Sequence, residues 1–368
     1  MRKIIIICLF LFVAILNFTH VEAKTETYQI GEFQYKYKVE EQGVWITNIT
    51  PLSSKGISTL NIPSKLSGKN VVKLGGEGDD DDAETFNIFG MYRSEDDEKI
   101  APVKTAKKIA GIKKIILPEM VEEITPNCFS YVQKGKSINI PGRLTKNVLS
   151  LRGTKWKKFS VSPQNPKYKA KDNFILSKNG KRIYGYVGMD KKIILPKGTQ
   201  IIEERAFYGA DVSNISIPKT IKKIKSQAFS YIKSVHIHIS KKNKNYAVKN
   251  DCVYSKKSGR LVVAVVKSGV ITVPDKVTCL KEGTSFAGNK AKKIIFPASL
   301  KKIGKYWHIS LISDSKLKLV FKGKKAPDLD KEAYLPYSKV YVPKRRKSNY
   351  VTAFKSLIDG GYITINMI

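Results

Sequence analysis

The side chains that could support catalysis or metal binding are few. His236, His238 and His308 are the histidines beyond the leader-like N-terminus. His236 and His238 alternate in SVHIHIS, so on a strand both project from one face. Two imidazoles at i and i+2 could chelate a metal, but no third ligand stands near them in sequence, and a pair of solvated histidines is the other reading. The densest carboxylates lie in GGEGDDDDAE and SEDDE between Gly75 and Lys99, centred on Asp79, Asp80, Asp81 and Asp82. Clustered carboxylates suit calcium. No alternating D-x-D-x-D-G pattern is present, so the other reading is a solvated acidic insert, 75–99, between structural units. Cys128, Cys252 and Cys279 match no zinc spacing; unpaired buried thiols are expected, with one disulfide as the alternative. The chain has no G-x-S-x-G, H-E-x-x-H or phosphate loop, and no credible Cys–His pair. Missing motifs are weak evidence alone, but combined with a repeat solenoid that fills the chain they give the expectation of a non-enzyme with no small-molecule substrate and no cofactor.

Positive charge, by contrast, is abundant. The 368 residues carry 67 Lys+Arg against 31 Asp+Glu, a formal net charge of +36. Most of the excess is lysine, a hydrated point charge and not a bidentate fork. Such a balance speaks to partners and solubility more than to fold. Arg2 and Lys3, the apolar run Ile4–Leu16 and the small residues around Val21-Glu22-Ala23 follow the plan of a secretory signal peptide, 1–23. Nothing after it is apolar enough to cross a membrane, so no transmembrane segment is expected after cleavage.

The elements that position these groups are announced by repetition. KKIILP occurs at Lys113–Pro118 and Lys191–Pro196, and KKIIFP at Lys292–Pro297. Pro118 to Pro141 is 23 residues, Pro196 to Pro218 is 22, and Pro274 to Pro297 is 23. An alternating apolar pair precedes each proline: Ile115/Leu117, Ile138/Ile140, Ile193/Leu195, Ile215/Ile217, Ile271/Val273 and Ile294/Phe296. A second apolar site follows, then often a small residue and phenylalanine, as in IEERAF, IKSQAF and ITPNCF. A longer unit is duplicated: QNPKYKAKDNFILSKNGKRI (Gln164–Ile183) corresponds to KNKNYAVKNDCVYSKKSGRL (Lys242–Leu261), with Tyr168 and Tyr246 78 residues apart. A period of this length fits a leucine-rich solenoid. Each turn offers one short strand whose alternate residues face inward, and stacking the turns makes a continuous core of parallel strands. Proline suits the strand end because it cannot donate to the next ladder bond. About eleven rungs follow from this register.

The I-x-I-P…I…A-F turns, the N-x-x-Y…G inserts and the closing KVYVPKRRKSNYVTAFKSL together resemble the BspA-like leucine-rich repeat proteins, the surface-antigen type. The resemblance spans roughly Gly56 to Leu357. It implies a repeat solenoid: a right-handed leucine-rich-repeat array with one long parallel β-sheet, short turns and helical segments. It also implies a secreted bacterial protein, free or wall-associated, that binds or adheres. The expected organisation is a capping hairpin in 24–56, the array in 57–345 and a C-terminal cap in 346–368. FQYKYKV and VWITNI read as the hairpin strands, and YVTAFKSLID as a short helix stopped by Gly360-Gly361.

If the residues one and three before each turn point inward, those two and four before it face solvent. Six of the ten four-before positions from rung two onward are lysine: Lys114, Lys158, Lys192, Lys293, Lys318 and Lys339. Beside this column stand Ile116, Ile194, Ile295 and Tyr341, with His236 and His238 between. These residues form the expected ligand-binding face. Ammonium groups repeated along a sheet repel unless a polyanion matches them. Anionic polymer (wall teichoic acid, glycosaminoglycan, extracellular DNA) or a protein is the expected partner, and a monomer is expected. Lysine is abundant off this face too, at Lys222-Lys223 and Lys301-Lys302, so a structural wall protein held by charge is the alternative.

Overall fold

The computed structural model describes residues 24–368 except 54–56, 77–87, 90–108, 110, 126–127, 130–131, 133–134, 152–153, 233–234, 268, 289–290, 306–307, 310–316 and 334. Residues 1–23, expected as a signal peptide, and the acidic cluster Asp79, Asp80, Asp81 and Asp82 lie outside the described residues.

Short strands recur at the positions that end in proline, and each pairs in parallel with the next. They form three consecutive sheets of four, three and five strands. The first joins Thr59–Asn61, Lys114–Ile116, Gly135–Ile140 and Trp156–Val161. The second joins Lys192–Ile194, Asn214–Ile217 and His236–Ile239. The third joins Val270–Thr272, Lys293–Phe296, Leu317–Phe321, Ser338–Val342 and Ile363–Met367. The inward residues are buried as the alternation demands, from Leu60 and Ile115 to Val340 and Val342. We call this series the outer ladder.

Each turn also contributes a second strand position, absent from the sequence expectation. Two-residue strands such as Ile201–Ile202 and Lys223–Ile224 stack in parallel behind the outer ladder. Between the two ladders runs the phenylalanine line. Phe129, Phe207 and Phe229 are fully enclosed, each preceded by a small buried residue: Cys128, Ala206 and Ala228. Phe207 stacks on Phe229 with centroids 5.2 Å apart and planes 3° from parallel. A larger residue in front of either ring would open that stack, which is why the small position repeats.

The duplicated inserts are antiparallel hairpins, Tyr168–Lys171 with Phe174–Ser177 and Tyr246–Lys249 with Cys252–Ser255. Their tips, Asp172-Asn173 and Asn250-Asp251, all have φ between 50° and 59°, the left-handed pair of a two-residue hairpin turn. These tips stand where the outer ladder is interrupted. Asn173 accepts a bond from the Phe159 amide (3.0 Å) and donates to the Lys157 carbonyl (3.3 Å), taking the place of a next strand. Asn250 donates to the Thr272 carbonyl at 3.2 Å across the second interruption.

At the N-terminal end the expected hairpin, Phe33–Val39 with Val44–Pro51, is extended by a further exposed strand, Thr25–Ile30. Its inward residues Phe33, Tyr35, Tyr37, Val44 and Ile46 join the core of the first turns. At the other end Lys347–Ala353 and Lys355–Asp359 are helical, and the chain then returns as Ile363–Met367, a last outer rung that the alternation did not reveal. Tyr350 and Phe354 close the core against Phe321, and the Tyr350 hydroxyl donates to the Gly323 carbonyl at 3.0 Å.

Candidate binding face

On the outer ladder the register decides which expected residues meet. Lys114 and Lys158 both flank Ser137 and so are separated by one rung. Lys192 heads a column continued by Asn214 and His236. Only in the five-stranded sheet do lysines fall on adjacent strands: Lys293 pairs with Lys318, and Lys318 with Lys339. The hairpin tips divide the lysine column, so it is not one charged stripe from end to end.

The three contiguous lysines sit on strands about 4.8 Å apart. Ammonium groups held at that spacing repel by about 1 kcal/mol per neighbouring pair even at the dielectric constant of water. Among the described residues none of the three has an ion-pair partner. Beside them run Ile295 and Tyr341, both half-buried. Val320 lies between those two and is covered, against the outward exposure that simple alternation assigns it. Its neighbours on both strands are large enough to shield a valine. Elsewhere on the face Ile116 is 39% and Ile194 75% exposed, as expected of outward positions.

An aromatic pair missing from the sequence reading completes this end. Tyr337 and Tyr362 precede adjacent strands and meet with centroids 5.4 Å apart, at 62% and 42% exposure. Tyr337 stands two residues before Lys339, on the same side by alternation. The signal was a tyrosine next to each strand start, but Ile363–Met367 had to be recognised as a rung first. The C-terminal sheet thus presents three lysines, apolar side chains and a flat aromatic edge with polar tips.

His236 and His238 share the outward face of one strand, their rings 6.3 Å apart and nearly parallel. His236 Nδ1 accepts a 2.8 Å bond from the Lys267 ammonium, which also pairs with the hairpin-tip carboxylate of Asp251. The imidazole is therefore part of the contact that closes the second interruption. Among the described residues no three His, Cys, Asp or Glu side chains come together as a metal site. Cys128, Cys252 and Cys279 are unpaired. Burial pushes the Cys128 thiol far up and the Cys252 thiol to about 12, so neither is a nucleophile.

On the second ladder Glu203 is buried between two cations, Arg182 at 2.5 Å and Lys225 at 2.7 Å. Burial alone would raise its carboxyl. The hydrogen bonds from Lys225 and Arg182 more than offset this and hold it below the usual carboxylate range. No helix among the described residues is long and apolar enough to cross a membrane.

A stack of short parallel rungs, with buried Ile/Leu pairs and an enclosed phenylalanine line, defines a leucine-rich-repeat solenoid. The sequence matches the BspA type leucine rich repeat region in six copies, over residues 105–162, 180–258 and 266–320. The chain belongs to that family. No curated protein matches it. Among solved structures it is similar to a leucine rich cell surface protein from Faecalibacterium prausnitzii A2-165, at 12% identity and a TM-score of 0.35, covering 93% of this chain and 94% of that one. A leucine-rich repeat protein from Eubacterium ventriosum is similar at 14% identity and a TM-score of 0.36, covering 94% and 85%. The pneumococcal vaccine antigen PcpA is similar at 15% identity and a TM-score of 0.30, covering 93% and 98%.

Proposed function

We propose that this chain is exported and acts at the cell surface as a non-enzymatic binding protein that engages an anionic polymer on its outer ladder. The five-stranded C-terminal sheet is the principal contact. One observation carries the reading: Lys293, Lys318 and Lys339 occupy one register on adjacent strands, and among the described residues none of them has an ion-pair partner. A chain of phosphate or sulfate groups laid across the rungs would relieve that repulsion, while Ile295, Tyr341 and the Tyr337–Tyr362 pair supply apolar surface beside it. In this reading residues 1–23 are removed on export, 24–56 and 346–368 cap the array, and 57–345 carry the binding face.

The alternative, a wall protein retained by charge alone, rests on the overall excess of lysine. Binding of the chain to a wall teichoic acid, a glycosaminoglycan and a neutral polysaccharide, followed as salt rises, separates the two. A docking face holds one anionic polymer at physiological ionic strength and discriminates between equally charged polymers. Charge retention falls steeply with salt and treats both polyanions alike.

A further inference from the structure

The second ladder, behind the proposed binding face, is interrupted where the second hairpin enters, between Lys223–Ile224 and Arg260–Val266. The backbone of Ile224, left without a next strand, is closed by side chains instead. Its amide donates to the Tyr246 hydroxyl at 2.8 Å, and its carbonyl accepts from the Arg260 guanidinium at 2.8 Å. Beside these bonds lies an open cleft of about 410 Å³, lined by Lys223, Lys225, Arg260, Ser226, Ser255 and Ser258 around Ile224 and Tyr246. That volume falls within the range of small-molecule sites. No carboxylate lines it.

The duplication supplies an internal control. In the first copy both equivalent cations are neutralised. Lys146 bridges to Glu123 in register and pairs with it at 3.6 Å, and Arg182 pairs with Glu203. In the second copy both carboxylates are gone. Lys223 lies in register with Ile201. Arg260 is in register with Cys279 as Arg182 is with Ile201, and two residues further on Lys281 stands where the first copy has Glu203. Among the described residues neither Lys223 nor Arg260 has an acidic partner. Lys225 remains tied to Glu203 at 2.7 Å.

We infer that this cleft is a discrete binding site for a sugar bearing a sulfate or phosphate monoester. Lys223 and Arg260 take the oxyanion, with Arg260 held in place by the Ile224 carbonyl. Ser226, Ser255 and Ser258 supply hydroxyl donors and acceptors for the sugar. The site stands on a different ladder from Lys293, Lys318 and Lys339 and does not depend on them.

The test is titration calorimetry of the mature chain with N-acetylglucosamine 6-sulfate, N-acetylglucosamine 6-phosphate and unmodified N-acetylglucosamine at physiological ionic strength. At least one ester binds saturably, at about 1 mM or tighter, and the neutral sugar does not. A preference between the esters names the natural source of the anion. Lys223→Gln and Arg260→Gln each weaken binding by about tenfold, the loss of one charge-assisted contact. Lys223 is exposed, so its variant remains folded even where Arg260→Gln disturbs the Ile224 contact. Lys36→Gln, exposed on the N-terminal hairpin and part of neither site, leaves ester binding unchanged. The inference is overturned if neither ester binds saturably, if the neutral sugar binds equally well, or if Lys223→Gln binds within about twofold of wild type.

Discussion

At the scale of single residues, the chain uses charge in two opposed ways. Lys318 and Lys339 are exposed and Lys293 half-buried, and among the described residues none of the three has an ion-pair partner, whereas Glu203 is enclosed and matched twice. The second arrangement predicts a pH signature. The folded-state pKa of Glu203 lies below its ordinary value. Its charged form therefore stabilises the fold above the unfolded carboxyl value of about 4.3, and that contribution is lost as pH falls through the lower folded value. Glu203→Gln is expected to cost about 1–2 kcal/mol at neutral pH, toward the low end because Arg182 and Lys225 are partly solvated and screened. Thermal unfolding of variant and wild type across pH checks this. The gap between them narrows on acidification; a gap that stays constant or widens contradicts it. The cysteines show what sequence could reach at this scale. Cys128 was legible as a small core residue because it takes the place of Ala206 and Ala228 before phenylalanine. Glu203 was not, because its partners come from the turns before and after.

At the scale of elements, the hairpin inserts are held by one asparagine each. Asn165 donates to the Pro141 and Leu144 carbonyls and accepts from the Lys167 and Tyr168 amides. Asn243 repeats this with Pro218, Ile221, Asn245 and Tyr246. Both are essentially inaccessible to solvent. The N-x-x-Y spacing was visible in the sequence; its cause was not, since half the bonds reach back to the preceding turn. Replacing either asparagine by alanine leaves four backbone groups without that partner and is expected to cost about 2–4 kcal/mol. Because turns of a solenoid mainly stabilise their neighbours, the loss should be local. Hydrogen exchange in Asn165→Ala should rise around residues 141–171 and remain near wild type beyond residue 300. Uniform loss of protection along the chain would contradict the assignment.

At the scale of the whole molecule, period and alternation were enough to place the outer ladder and its inward residues, because a stacked fold writes the same local instruction in every turn. They could not show where the ladder stops and restarts. The interruptions arise where Asp172-Asn173 and Asn250-Asp251 fold into the path of the next strand, and a hairpin tip carries no signal of where it docks. One interruption bears on the function proposed here, because it parts Lys158 from Lys192, while Ser137, Asn214, His236 and Val270 occupy the other gaps and leave Lys293, Lys318 and Lys339 as the contiguous trio. The most direct measurement is affinity for a glycosaminoglycan at physiological ionic strength in two triple variants of equal charge. Changing Lys293, Lys318 and Lys339 to glutamine is predicted to weaken binding by about tenfold or more, while the same change at Lys114, Lys158 and Lys192 weakens it by about threefold or less. Equal losses in the two variants, or none in either, would contradict a docking face on the C-terminal sheet.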